Sequence, residues 1–368
     1  MGGITRIENA QCMKDADKGI IINDLYWSRA SIRDGELSRS KSIQDTALVD
    51  FIEMWFDDED SFWGQTSGST GIPKKMKIAK ADCRASAMAT LTYFSLKEGQ
   101  TALLSMPAQY IAGRMMVVRA IVGGLNLLTT TVSSCPILPN RTLDLTAFTP
   151  HQFSNMISTG QFPIPHTMSV VLLGGAPVSR ELIDQIPKSS ANIYETFGMT
   201  ETYSHVAIKA IYPSSQSYFE AVPGVNFTVV DQRLKIHAPH INQPDLLTND
   251  RVDLLSDTRF VWIGRFDFVI NSGGVKLSPE VLEDKLNPYI EEPFYFYGAP
   301  DQTLGQRLVL VMESKENFDM KNLKNILYEH LSKLERPKEI IFVSRMIFTK
   351  SGKLDRRRTF LENQSSIQ

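Results

Sequence analysis

"SVVLLGGAPVSRELIDQIPKSSANIYETFG" (169–198) sets the architecture of this chain. A short apolar run ends on two glycines, an amphipathic stretch follows at 179–186 ("SRELIDQI"), and "ANIYETFG" (191–198) supplies a second strand-like run. Strand, helix and strand at that spacing predict a βαβ unit with parallel strands, because the helix carries the chain back along the sheet. The rhythm continues upstream, with "TALLSMP" (101–107) and "LNLLTT" (125–130) as strands around a helix at "YIAGRMMVVRAIVGG" (110–124). Nearer the start, "SIQDTALVDFIEMWF" (42–56) places Ala47, Leu48, Phe51, Ile52 and Trp55 on one helical face.

After His205 the pattern changes. "HVAIKAI" (205–211), "VNFTVVD" (225–231), "RLKIHA" (233–238) and "RFVWIG" (259–264) are short strands at hairpin spacing. From Asp267 onward, helices at 278–290 and 322–334 alternate with strands at 293–299, 306–314 and 338–344, and a polar tail closes the chain. The prediction is an α/β protein with two domains. Residues 1–266 form a large N-terminal domain with a doubly wound, mostly parallel sheet and a small antiparallel β-subdomain, and residues 267–368 form a small mobile α+β domain.

With 368 residues the chain is long enough for two cores. Apolar content of 42%, charged content of 22% and a net charge of −2 describe a soluble protein with no overall pull toward nucleic acid or anionic membrane. Cys12, Cys83 and Cys135 are scattered without a CxxC, which fits reduced thiols and a cytoplasmic setting. No run of 18 apolar residues and no apolar leader are present, so neither a membrane span nor a signal peptide is expected. Whether the chain forms a homo-oligomer stays open.

The segment "GQTSGSTGIPKKMKI" begins at Gly64. Gly64, Gly68 and Gly71 allow close backbone approach, Thr66, Ser67, Ser69 and Thr70 add hydroxyl donors, and Lys74 adds charge, a composition suited to cradling phosphate. A Walker A loop is excluded, because Pro73 and Lys75 stand where that motif needs glycine and Ser/Thr. A polar linker is the bland alternative, and the strand-like "MKIAK" that follows at once counts against it.

"TSGSTGIPKKMKI" resembles the phosphate loop of the AMP-forming adenylating enzymes: acyl-CoA synthetases, luciferases and adenylation domains. Further motifs follow in that family's order: "LLGGAPVS" (172–179), "YETFGMTET" (194–202), "GRFDFVINSGGVKLSPEVLE" (264–283) and "TKSGKLDRR" (349–357). The resemblance covers roughly residues 60 to 360. It implies ATP-dependent activation of a carboxylic acid as an acyl-adenylate, with Mg²⁺, followed by transfer to a thiol such as coenzyme A. Partners would be small molecules: the acid, ATP and CoA.

Residue by residue, it implies that Thr66, Ser67, Gly68, Ser69, Thr70, Gly71 and Lys74 hold the β- and γ-phosphates. Gly174, Gly175 and Ala176 would offer bare backbone to adenine, with Phe197 stacking where tyrosine is more usual and Gly198 beside it. Thr200 would meet the α-phosphate and Glu201 would bind Mg²⁺. Asp250, in "TND" rather than Thr-Gly-Asp, and Arg265 would hold the ribose; a turn-initiating aspartate and a surface ion pair are their structural alternatives. Lys353 would serve the adenylation step, whereas Arg356, Arg357 and Arg358 read as a solvated basic tail. Asp267 would be the hinge of a rotating C-terminal domain, with Gly273 and Gly274 lining a pantetheine tunnel.

"SMPAQYIAGRMMVVRAI" (105–121) stands where the family reads the acid, with Tyr110 at a usual histidine and Arg119 in an apolar helix. A buried arginine needs an anionic partner, from the protein or from a ligand. The segment is most similar to o-succinylbenzoate–CoA ligases of menaquinone biosynthesis. Another aryl- or acyl-CoA ligase, a carrier-loading adenylation domain and a non-catalytic nucleotide sensor remain as alternatives. Thr66 lies nearer the start than in typical members, so a shortened N-terminal subdomain is expected. Tyr203, Ser204 and His205 would border the acid pocket or be structural, and "HAPH" (237–240) reads as a structural loop.

Overall fold

Asn23 and Asp24 close a hairpin with φ 49° and 69°, the mirror-image turn that matches strand twist. Its strands, β1 (Gly19–Ile22) and β2 (Leu25–Ser28), pair antiparallel, and β1 joins the main sheet beside β6. The sequence signal was present in "GIIINDLYW" (19–27), where an Asn-Asp pair separates two strand-forming runs. The computed structural model describes residues 18–40, 43, 45–65, 75–162, 168–239, 241, 244–313, 319–348 and 354–363. These fold as two compact units. The first comprises 1–178, 185–226 and 237–245, and the second 179–184, 227–236 and 246–368.

In the first unit, short helices α1 (Arg29–Arg33) and α2 (Glu36–Arg39) lead to α3 (Thr46–Phe56), capped by the Asp45 carboxylate on the Leu48 N–H. Phe51 and Trp55 of α3 pack on Phe62 of hairpin β3 (Ser61–Gln65) and β4 (Lys75–Ala79), with Phe51 and Phe62 edge to face at 5.4 Å. Gln65 pairs with Lys75 at the hairpin's end, so the predicted phosphate loop is the connection between β3 and β4. Thr66 through Gly71 and Lys74 themselves lie outside the described residues.

Helix α4 (Lys80–Tyr93) packs against α5 (Ile111–Gly123), which is buried almost all round. Strands β5 (Thr101–Leu104), β6 (Asn126–Thr129), β7 (Leu143–Phe148), β8 (Met168–Leu173) and β9 (Asn192–Gly198) form the parallel core with β1. Most side chains of β5 to β8 are buried, as a sheet covered on both faces requires. Helix α6 (Pro150–Ser158) follows β7 and carries a full capping box between Thr149 and Gln152.

Strand β10 (His205–Tyr212) departs from expectation. It pairs antiparallel with β9, Ile208 opposite Thr196, and β11 (Phe219–Ala221) follows it, so "HVAIKAI" extends the main sheet and not a separate antiparallel one. The order in this unit is β11-β10-β9-β8-β7-β5-β6-β1-β2.

The second unit holds α7 (Arg180–Asp184), the sheet of β12 (Asn226–Val230), β13 (Arg233–His237) and β14 (Asp245–Leu247), and the hairpin of β15 (Asp250–Ser256) and β16 (Arg259–Arg265). Strands β17 (Ile270–Ser272), β18 (Val275–Leu277), β19 (Phe294–Asp301), β20 (Gly305–Glu313) and β21 (Glu339–Val343) form a mixed sheet. Alternation along central β20 sends Leu308, Leu310 and Met312 to one face, under α8 (Pro279–Leu286) and α9 (Met320–His330), and Val309 and Val311 to the other. The predicted polar tail is instead α10 (Arg356–Asn363), whose Phe360 fills that second face. Strands β15 and β16 lie in the same unit as the C-terminal residues, and Arg251 of β15 donates to the Ser278 hydroxyl at 2.7 Å.

Candidate active site

The turn between β9 and β10 carries the acid-rich signature. Thr200–Thr202 form one turn of 3-10 helix, locked by the Thr202 hydroxyl, which accepts from the Met199 N–H at 3.0 Å. Thr200 and Glu201 are half-buried, accessible at the C-terminal end of a parallel-sheet strand. In open α/β sheets that edge is where ligands bind. Gly198 is required by the turn itself: a Cβ there would lie 2.3 Å from the Ser204 carbonyl oxygen.

Across the neighbouring strand, Gly174, Gly175 and Ala176 follow β8. A Cβ at Gly174 would meet Thr196 Oγ1 at 2.5 Å, so this turn must present bare backbone, while the space around Gly175 is open. Phe197 contacts Phe219 at 5.8 Å between ring centroids. Glu195 beside it pairs with Lys209 at 2.5 Å and accepts from the Val178 N–H at 3.1 Å, tying β9 to the end of the glycine turn.

Tyr110 is the residue preceding α5, and Arg119 lies two turns further along. Arg119 is 3% exposed. Its Nη2 donates to the Ser204 hydroxyl and its Nη1 reaches Met116 Sδ at 3.7 Å, while Nε is buried without a partner. Among the described residues no carboxylate forms an ion pair with it. Burial pulls its pKa down to about 10, leaving it charged at neutral pH. Ser204 is adjacent to His205, whose Nε2 lies 3.0 Å from Thr90 Oγ1.

In the second unit, Asp250 and Arg265 are opposite each other on β15 and β16. Asp250 Oδ1 accepts from Trp262 Nε1 at 3.0 Å, and burial raises its pKa against the pull of Trp262 and Arg265. Arg265 grips both oxygens of Asp267 at 2.8 Å, so ribose candidate and hinge candidate are one ion pair. Gly273 and Gly274 make the two-residue turn between β17 and β18. Lys353 lies outside the described residues. Its neighbour Arg356 corrects the solvated-tail expectation: it is bonded bidentately to Glu283 at 2.5 and 2.7 Å, against Phe268 and Tyr295.

Residues 15–241 match the family described as AMP-binding enzyme. The chain belongs to that family. Among proteins similar to this AMP-binding enzyme is the 2-succinylbenzoate–CoA ligase of Listeria monocytogenes, 24% identical over 96% of this chain and 81% of its own. The ligase of the same name from Salmonella typhimurium is 27% identical, over 74% and 62%. A solved structure, an acyl-CoA synthetase (AMP-forming)/AMP-acid ligase II-like protein from Dyadobacter fermentans, is 33% identical over 89% of this chain and 97% of its own, with a TM-score of 0.57. The o-succinylbenzoate coenzyme A synthetase of Bacillus subtilis, in complex with ATP and magnesium, superimposes with a TM-score of 0.69 at 17% identity, over 81% and 69%. This last likeness is one of fold. No helix among the described residues of this AMP-binding enzyme is long and apolar enough to cross a membrane.

Two features escaped the sequence. Thr90 and Asp82 of α4 face the turn after Glu201, and no local motif marks them. Tyr203 adopts φ 62°, and its hydroxyl bonds Asp82; burial and that carboxylate raise its pKa. A bulky residue in this conformation is strained by roughly 1–3 kcal/mol, so the surrounding contacts must hold it there.

Proposed function

We propose that this chain is an AMP-forming acid–CoA ligase whose acid carries a second carboxylate, o-succinylbenzoate being the first candidate. The single observation that carries the substrate class is Arg119, a buried guanidinium with one hydroxyl partner and an uncompensated Nε. Leaving a charge so poorly matched is costly unless an anion arrives with the ligand. The 2-succinylbenzoate–CoA ligases among its relatives support the same choice.

ATP would supply the leaving pyrophosphate, and Mg²⁺ would neutralise phosphate charge. Glu201 is a fitting single oxygen ligand. Among the described residues no group of three or more acidic, histidine or cysteine side chains could hold a metal alone, so phosphate and water oxygens would complete the shell. Gly174, Gly175, Ala176 and Phe197 suit adenine, Thr200 the α-phosphate, and Asp250 with Arg265 the ribose. Gly273 and Gly274 would admit pantetheine, and Asp267 would be the hinge.

An acid panel assayed for acid-dependent pyrophosphate release and CoA-dependent AMP release tests the activity. We expect o-succinylbenzoate to exceed benzoate, phenylacetate and fatty acids in both. Pyrophosphate release without a CoA thioester would favour a carrier-protein thiol, and no release with any acid would favour a sensor. Lys353→Ala is expected to lower adenylation by a factor of about 100 or more, while thioester formation from preformed acyl-adenylate stays within a few-fold. Equal losses in both half-reactions would remove Lys353 from that role.

A further inference from the structure

Arg119 has only donors, so the Ser204 oxygen that meets it must accept. The Ser204 proton is then available to His205 Nδ1, at 3.4 Å. On the other side of the ring, the single proton of Thr90 Oγ1 is directed to the Ser86 carbonyl oxygen at 3.3 Å. With that proton on the carbonyl, Thr90 accepts from Nε2, 3.0 Å away. One species satisfies both ends: neutral imidazole with its proton on Nε2. The chain of bonds runs from Arg119 through Ser204, His205 and Thr90 to the backbone of α4, all within the first unit.

We propose that His205 is a positioning residue for Arg119, holding the Ser204 hydroxyl so that it occupies one edge of the guanidinium and leaves the Nε edge for a carboxylate of the acid substrate. This rests on the substrate class inferred above. Burial and the Arg119 charge both lower the His205 pKa, consistent with a ring kept neutral. Neutrality matters physically, because an imidazolium would donate at both nitrogens, so that the Ser204 oxygen would accept from the ring as well as from Arg119 and its proton would no longer be held by Nδ1. The strained Tyr203 and its bond to Asp82 fix the backbone just before Ser204, so α4 holds the tripeptide at two points.

The test uses the whole chain and four variants: His205→Leu, His205→Gln, Thr90→Val and Arg119→Lys. Glutamine offers an acceptor and a donor in place of the ring nitrogens, while leucine offers neither. We expect His205→Leu to raise KM for o-succinylbenzoate at least tenfold, with KM for ATP and for a monocarboxylic acid within twofold. His205→Gln should recover most of the loss, and Thr90→Val should fall between. Nitrogen NMR of the imidazoles, assigned by the signal lost in His205→Gln, should show protonated Nε2 and bare Nδ1.

An Nδ1–H tautomer, or an equal rise in all three KM values without rescue by glutamine, would overturn the proposal. If Arg119→Lys leaves the dicarboxylate KM unchanged, the substrate class fails, and the tautomer alone then decides whether the relay exists.

Discussion

Arg119 is a buried guanidinium and Arg356 a half-buried one, and their surroundings are opposite. Arg356 is gripped by Glu283 through two bonds, donates to the Phe296 carbonyl, and lies near the rings of Phe268 and Tyr295. Burial alone would lower its pKa, but Glu283 more than offsets that and raises it. Arg119 has one hydroxyl, a thioether and an orphaned Nε, and its pKa falls. A structural arginine brings its anion with the fold. On the proposed reading, an arginine that receives its anion from a ligand is left short of one by the fold.

The contrast can be broken first at Arg356. Replacing it by methionine strands the Glu283 carboxylate, and we expect about 3–5 kcal/mol of destabilisation, read as an early urea transition of Trp262 fluorescence. An unchanged transition would mean that the pair is ornamental. The matching change, Arg119→Met, should cost the fold nothing or stabilise it, because no carboxylate is orphaned. It should still lower kcat/KM for the dicarboxylate about 100-fold, within the ~2–5 kcal/mol expected for a desolvated charge contact. Destabilisation as large as that of Arg356→Met would erase the distinction between the two sites.

The smallest effect is a pH slope. His205 in the folded chain titrates well below its ordinary value, so below pH ~6.5 the unfolded chain binds a proton that the folded one does not. Stability must therefore fall as pH drops through and below that value, by up to about 1.4 kcal/mol per pH unit for one proton. Asp250 and Glu280, raised by burial, act with the opposite sign in their own range. The informative quantity is hence the difference between the wild type and His205→Gln, followed by urea titration from pH 7 to pH 5. Identical slopes would show that His205 is not held neutral.

Much of this was legible beforehand. The strand around Val171 announces itself by an unbroken apolar run, and the α3 helix by its repeat of Phe51, Ile52 and Trp55. The signature at Thr200 and Glu201 was found by motif, and its placement at a strand's C-terminal end follows from the βαβ pattern. Three features were not legible. "HVAIKAI" reads as a strand but carries no mark of its partner, and only the turn over 199–204 decides that it pairs with β9. The tail from Arg356 has too few apolar residues to register, although a single Phe360 suffices to seal a sheet face. Tyr203 carries no sequence mark of its positive φ.

The sequence by itself determined which segments are buried, because apolar periodicity is local and reports directly on exclusion from water. It also determined the order of the nucleotide motifs. Only the tertiary structure decided what each buried charge meets. Arg356 finds Glu283 from a helix more than seventy residues away, and Arg119 finds Ser204 and, among the described residues, no carboxylate. Such pairings depend on long-range packing of separate elements, and a buried charge has no local pattern that reveals its partner.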